Sequence, residues 1–371
     1  MPRLPAPARR ALSSIVLAAS LALPASFGMA TAASAADLDR LTRPWPDGEA
    51  LAGVESFDVR FATADPFILS DAGDPEASPP RDGHGRLFLP PPEAREAPMP
   101  AVVLVHGAGG VIGRREPTYA RQFAAMGFAA IVVDAFAARR DLATGFVDRL
   151  LSITETMLVA DAYGALDYLA AREDVDGDRV ALIGFSYGAM ASVFAVYDQV
   201  AEAVAPGGPR FAAHAAFYGP CIARFEDPAT TGAPVIMLAG TEDAIVDPER
   251  CAEIADDLDE AGSRVRQVWY DGAYHQWDGS FAGPRPIGRN LAPCSLSVDG
   301  SGIPRDRRSG LPMLNGFLRK VILGLCVGGE GYLIGRDDEV RARSNRDLGA
   351  FLQRALSPRK ATAGDLTGDG A

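Results

Sequence analysis

The stretch Val180-Ala181-Leu182-Ile183-Gly184-Phe185-Ser186-Tyr187-Gly188 constrains this chain more than any other. An unbroken apolar run stops at Gly-x-Ser-x-Gly, and an alanine-rich segment compatible with a helix follows. That order reads as strand, sharp turn, helix. Such a turn holds a serine hydroxyl above the sheet edge, and the flanking glycines let strand and helix backbones approach closely. Ser186 is therefore the candidate nucleophile. A five-residue motif also arises by chance, so the surrounding pattern has to agree with it.

It does agree. Residues 54–63 and 85–89 read as a strand pair, separated over 65–83 by a polar, proline-rich surface loop, with His84 a solvated turn residue. A second proline-rich connector, 90–100, feeds residues 101–105, whose β-branched run without alternation suits a parallel strand covered on both faces. A glycine-rich turn over 106–110, a helix over 117–126, a buried strand over 128–133 and a long helix over 148–171 follow. Further strands are expected at 178–183, 211–217, 235–239 and 264–270, with helices at 248–261 and 341–356. This alternation without internal repeats specifies a single α/β domain over 36–356, with a mostly parallel central sheet flanked by helices. Residues 279–340 break the pattern and hold one expected helix, near 311–325; a connection this long points to a functional excursion. Residues 357–371 read as a disordered tail, whose faint likeness to a calcium loop lacks the downstream ligands.

The beginning of the chain is of another kind. Arg3, Arg9 and Arg10 precede an apolar run over 15–23 and then Ala33-Ser34-Ala35, the pattern of a cleaved signal peptide over residues 1–35. The run falls well short of the ~20 residues that span a bilayer, so export followed by cleavage is expected rather than stable membrane insertion. Arg9-Arg10 is a loose match to a twin-arginine signal, and an ordinary basic start explains it better. The product would be periplasmic or secreted. It would keep 33 basic and 48 acidic residues, a formal charge of −15, which disfavours nucleic acid and anionic membranes as partners. Four cysteines in an exported chain suggest two disulfides. Of three possible connectivities, Cys221 with Cys251 and Cys294 with Cys326 close loops of about 30 residues each.

A serine nucleophile needs a base, a carboxylate to orient that base, and N–H donors for the oxyanion. In hydrolases built on this turn, chain order is serine, then acid, then histidine. Of the four histidines, His84 and His106 precede Ser186, and His214 lies inside an apolar strand as a core residue. His275 alone passes, on a loop after the strand over 264–270. Gly240-Thr241-Glu242-Asp243 follows another strand, and Asp243 is the chosen acid. Glu242 is the rival expected to point the other way, and Asp247 before Pro248 looks like a helix cap. The oxyanion would meet the backbone N–H groups of Tyr187 and Ala108, with His106 bracing the turn. Gly107-x-Gly109 fails as a dinucleotide loop, because the third glycine of that fingerprint is Ile112. Phe185, Tyr187, Val111, Phe136 and Trp277 are candidate walls of an apolar pocket. No metal or cofactor is called for.

Gly184-Phe185-Ser186-Tyr187-Gly188, Gly240-Thr241-Glu242-Asp243 and Ala273-Tyr274-His275 with Trp277-Asp278 together resemble the α/β-hydrolase superfamily, and within it the dienelactone hydrolase family, in its exported serine form. The resemblance covers roughly residues 54–356. It implies the α/β-hydrolase fold and a substrate-carboxylate arginine after the fourth strand, for which Arg139 lies near the matching position. Two departures from the family stand out: Ser186 where a cysteine is expected, and Gly107 where a glutamate is expected. Both favour an ordinary serine esterase acting on small esters or lactones over dienelactone chemistry. A peptidase or acyltransferase with the same three residues, or a catalytically silent binding protein of the same fold, are the alternatives.

Overall fold

The computed structural model describes residues 38–357, so the signal-peptide reading and nearly all of the tail lie outside the described residues. The chain opens with a hairpin of two long strands, β1 (Glu55–Ala64) and β2 (Pro80–Leu89), and then enters the buried strand β3 (Met99–Val105). Helix α1 (Glu116–Ala125), β4 (Ala129–Val133), the short α2 (Ala135–Ala138), α3 (Phe146–Ser152) and α4 (Glu155–Ala170) follow. Next come β5 (Val175–Phe185), α5 (Tyr187–Phe194), α6 (Asp198–Val204), β6 (Ala213–Phe217) and the short β7 (Ala223–Phe225). Strand β8 (Val235–Gly240), α7 (Pro248–Glu260) and β9 (Val265–Tyr270) complete the main sheet. The excursion carries β10 (Arg285–Ile287), β11 (Leu296–Val298), β12 (Pro304–Asp306), α8 (Gly316–Cys326) and β13 (Tyr332–Ile334), and α9 (Asp338–Ala355) ends the fold.

Eight strands form the central sheet in the order β1-β2-β4-β3-β5-β6-β8-β9. From β4 to β9 every pairing is parallel, and only the β1–β2 hairpin and its junction with β4 are antiparallel. Every residue of β3, β4, β6 and β8 is buried, as unalternating apolar runs require when both faces are covered. Two neighbours on β6 show the two faces. Phe217 packs toward Tyr119 of α1, whereas Ala216 lines a cavity with Met190 of α5 and Ile254 of α7. This is the α/β-hydrolase architecture that the strand and helix alternation specifies. The parallel strands direct their C-terminal ends to one edge, and the loops leaving that edge carry the chemistry.

Three local expectations are corrected. The long helix over 148–171 is two helices, because Ile153 and Thr154 adopt extended backbone, with Ile153 fully buried and its carbonyl taken by the Tyr187 hydroxyl. His84 lies within β2 opposite Arg60, since an antiparallel edge ladder tolerates polar side chains on its solvated face. The last helix begins three residues early, at Asp338, capped by the Asp337 carboxylate, which accepts from the Glu339 and Val340 N–H groups. Both disulfides, Cys221–Cys251 and Cys294–Cys326, are formed. The first ties the loop after β6 to α7, and the second closes the excursion.

His214 is a core residue of β6, 1% exposed, and burial pushes its pKa down to about 3. Because the folded value lies below the ordinary one, the unfolded chain takes up the extra proton first as pH falls through about 6.5. Stability is then lost toward acid, by about 2 kcal/mol between pH 6.5 and 5 from this residue. Urea denaturation at the two pH values should show that loss in the native chain and a smaller one in His214→Leu; equal losses would refute the assignment.

Candidate active site

Strand β5 ends at Phe185, and Ser186 turns the chain into α5 with φ 53° and ψ −109°. A side chain at positive φ is strained, and the packing around it holds it there. A Cβ on Gly184 would collide with the Gly188 carbonyl, and one on Gly188 with the Val105 carbonyl. The turn is therefore wedged between its own strand, its own helix and β3. The Ser186 N–H donates to the Phe217 carbonyl on the next strand at 2.8 Å.

The histidine and the acid come from the two loops beyond β9 and β8. The Ser186 Oγ lies 2.9 Å from His275 Nε2, and His275 Nδ1 lies 2.7 Å from Asp243 Oδ2. With the ring protonated at Nδ1, that N–H donates to Asp243 and Nε2 accepts the serine hydroxyl. His275 is fully buried, Asp243 3% exposed and Ser186 6% exposed, so the serine is the member of the relay that solvent reaches most. The remaining oxygen of Asp243 accepts from the Ile245 N–H at 3.2 Å. Glu242 points outward, and Asp247 caps α7 by accepting from the Glu249 and Arg250 N–H groups. The structure thus brings Ser186, His275 and Asp243 together and leaves both rival acids outside.

The turn over 106–110 lies directly against the serine. A Cβ on Gly107 would stand 3.2 Å from the Ser186 Cβ and 3.1 Å from the Phe185 carbonyl. The Gly110 N–H closes this turn onto the Gly107 carbonyl at 3.0 Å, and His106 Nδ1 meets the same carbonyl at 2.8 Å. His106 is buried against Phe136, ring centroids 4.5 Å apart, and so braces the turn from behind. Among the described residues, neither the Tyr187 nor the Ala108 N–H donates to a backbone carbonyl, which leaves both available as oxyanion donors.

Two pocket expectations are corrected. Trp277 is fully buried, donates its indole N–H to the Ser344 hydroxyl at 3.1 Å and packs on Tyr218 and Tyr270, so it belongs to the core beneath α9. Arg139 is fully buried as well. Its guanidinium donates to both oxygens of Asp161, at 2.6 and 2.9 Å, and to Asp65 at 2.8 Å, which commits it to tying the β1–β2 loop to α4. Phe136 sits behind the turn, and Val111 is half-buried against the core.

Other residues at the site carry no motif. Tyr218 and Tyr332 set their rings edgewise to the His275 imidazole at centroid distances of 4.7 and 5.1 Å. The Tyr218 hydroxyl donates to buried Asp278 at 2.6 Å, three residues after His275, and burial raises the Asp278 carboxyl above its ordinary range. Strand β13 pairs with the histidine loop: the His275 N–H donates to the Leu333 carbonyl, and the Gly335 N–H to the His275 carbonyl. Among the described residues, the non-glycine positions with positive φ are Ser186, Tyr218 and Gln276, all in this cluster. Backbone strain concentrates at functional sites. The position of Tyr218 at the C-terminal end of β6 was a usable sequence signal; nothing in the sequence pointed to Tyr332.

The family model of the dienelactone hydrolase family matches residues 86–290, more than half of the chain. The chain belongs to that family. YtaP of Bacillus subtilis (strain 168), a hydrolase by name only, is 27% identical over 129 residues, which cover 29% of this chain and 43% of that protein. The chain thus matches less than half of that relative's length. Among solved structures, the dienelactone hydrolase-like promiscuous phosphotriesterase P91 from metagenomic libraries has a TM-score of 0.46 at 19% identity, covering 81% of this chain and 98% of that one. A Klebsiella pneumoniae protein, a dienelactone hydrolase by name only, has a TM-score of 0.42 at 18% identity, covering 60% of this chain and 88% of that one.

If Arg139 is a clamp and no pocket residue, Arg139→Met should leave buried Asp161 without its cation, while Asp65 keeps Arg81, and cost about 3–5 kcal/mol of stability. Per folded molecule, KM should stay unchanged for a neutral ester and for one bearing a carboxylate. A KM that rises only for the carboxylated ester would return Arg139 to the substrate pocket.

Proposed function

We propose that this member of the dienelactone hydrolase family is an exported serine hydrolase that cleaves small carboxylic esters or lactones through an acyl-enzyme. The observation that carries this reading is the continuous relay from the Ser186 hydroxyl through His275 to Asp243. His275 Nε2 takes the serine proton as Oγ attacks the carbonyl carbon, and Asp243 orients the ring and stabilises the imidazolium. Negative charge moves to the carbonyl oxygen, where the Tyr187 and Ala108 N–H groups meet it. The imidazolium returns its proton to the leaving alkoxide as the tetrahedral intermediate collapses. Water, deprotonated by the same ring, then attacks the acyl-enzyme and regenerates the serine. The first proton leaves with the alcohol, and the one taken from water returns to the Ser186 oxygen.

Two disulfides support an oxidising compartment, and no helix among the described residues is long and apolar enough to cross a membrane. A serine in place of the family cysteine, with no side chain at position 107, supports ester over dienelactone substrates.

A fluorophosphonate probe should label the purified chain at Ser186 alone, as read by mass spectrometry, and p-nitrophenyl butyrate should be hydrolysed. Ser186→Ala should lose both while keeping its circular dichroism; labelling elsewhere, or turnover that survives, would remove the nucleophile assignment. Replacing Asp243 by Asn presents the wrong ring tautomer to the serine and should lower kcat by about 10⁴-fold. A loss below tenfold would mean that another carboxylate orients His275.

A further inference from the structure

The excursion reaches every loop of the proposed relay. Strand β13 pairs with His275, the Asn290 side-chain N–H donates at 2.9 Å to the carbonyl of Ala244, next to Asp243, and α8 reaches the residue after the nucleophile. The third contact runs through a buried guanidinium. Arg319, 5% exposed, donates from Nη2 to the Tyr187 hydroxyl at 3.2 Å. It also binds both oxygens of Glu155 on α4, at 2.9 and 3.0 Å, and the Leu150 carbonyl at the end of α3 at 2.9 Å. The Tyr187 hydroxyl in turn donates to the Ile153 carbonyl at 2.8 Å. The tyrosine is thus fixed at both ends, by its backbone in the strained turn and by its hydroxyl in the gap between α3, α4 and α8. Helix α8 is itself held, capped by Asn315, whose side chain accepts from the Leu318 N–H, and closed at Cys326 by the disulfide to Cys294.

We propose that Arg319 is a positioning residue for the oxyanion donor: through the Tyr187 hydroxyl it holds the first residue of α5 so that the Tyr187 N–H keeps the direction the reaction needs. The turn at Ser186 sits at positive φ, and a relaxation there would rotate the next peptide unit. An anchored tyrosine ring resists that rotation. The excursion, tied in by Arg319, is on this account part of the catalytic framework. The inference rests on the serine-hydrolase reading.

Three variants test it: Tyr187→Phe, Arg319→Met, and the double variant Arg319→Met/Glu155→Gln, which removes both charges of the pair and so guards against misfolding. Active sites are counted by fluorophosphonate labelling. Kinetics are measured with p-nitrophenyl butyrate, and affinity with a trifluoromethyl ketone, whose serine adduct places its oxyanion where the reaction does. Misplacement by a fraction of an ångström should lower kcat per labelled site by about 30- to 100-fold, with KM within about threefold. Ketone affinity should fall by the same factor as kcat/KM, and guanidinium ion should restore part of the loss in Arg319→Met. Unchanged kcat per labelled site beside a lowered Tm would overturn the inference and leave Arg319 a structural clamp, as would a change confined to KM. Absence of labelling in the unaltered enzyme would instead overturn the serine-hydrolase reading, and this inference with it.

Discussion

The close approach of three backbones at Ser186 is the contact on which the rest of the site depends. A non-glycine residue at positive φ costs about 1–2 kcal/mol, and it persists only where the surroundings leave no room to relax. Here Leu182, Ile183 and Phe185 are fully buried on β5, and β3 and α5 abut the turn through Gly188. The apolar run supplies the burial that offsets the strain, and the two glycines supply the space. Once that turn is fixed, the parallel register decides what lies beside it. The ends of β8 and β9, two and three places along the sheet, deliver Asp243 and His275 to the same edge.

Buried arginines do a second kind of work in this acidic chain. Arg139 joins Asp161 and Asp65, 22 and 74 residues away in sequence, and Arg319 joins Glu155, 164 residues away. Such pairs contribute little net stability, because desolvation consumes most of the attraction. Their value is geometric. Each fixes the direction of several donors at once, and each connects a segment outside the strand and helix alternation to a helix within it. The loop between β1 and β2 is pinned in this way, and so is the excursion.

The difference between what was legible in the sequence and what was not follows from range. The turn at Ser186, the assignment of Asp243 over Glu242 and Asp247, and the exclusion of His214 rested on local patterns: an apolar run, a cap before a proline, a histidine inside a strand. These features are set by neighbours in sequence. The break at Ile153 and the roles of Arg139, Tyr332 and Arg319 are set by partners far along the chain. An arginine just beyond a strand looks the same whether it meets substrate or a buried aspartate. Trp277 shows the same limit, since its place in a motif gave no sign that its indole N–H is satisfied by Ser344 on the last helix.

Gly107 and Ser186 are best understood as one choice. A Cβ at position 107 would already stand 3.2 Å from the Ser186 Cβ and 3.1 Å from the Phe185 carbonyl, so any side chain there would crowd the nucleophile's turn. A thiol, with an ordinary pKa near 8.5, ionises far more readily than a hydroxyl. A serine hydroxyl has no accessible ionised form and needs its base in contact from the start. The 2.9 Å contact between Ser186 and His275 meets that need, and a carboxylate at position 107 would compete with His275 for the same proton. Glycine at position 107 leaves the contact between Ser186 and His275 unobstructed and, on the proposed reading, keeps the turn close enough for the Ala108 N–H to serve the oxyanion.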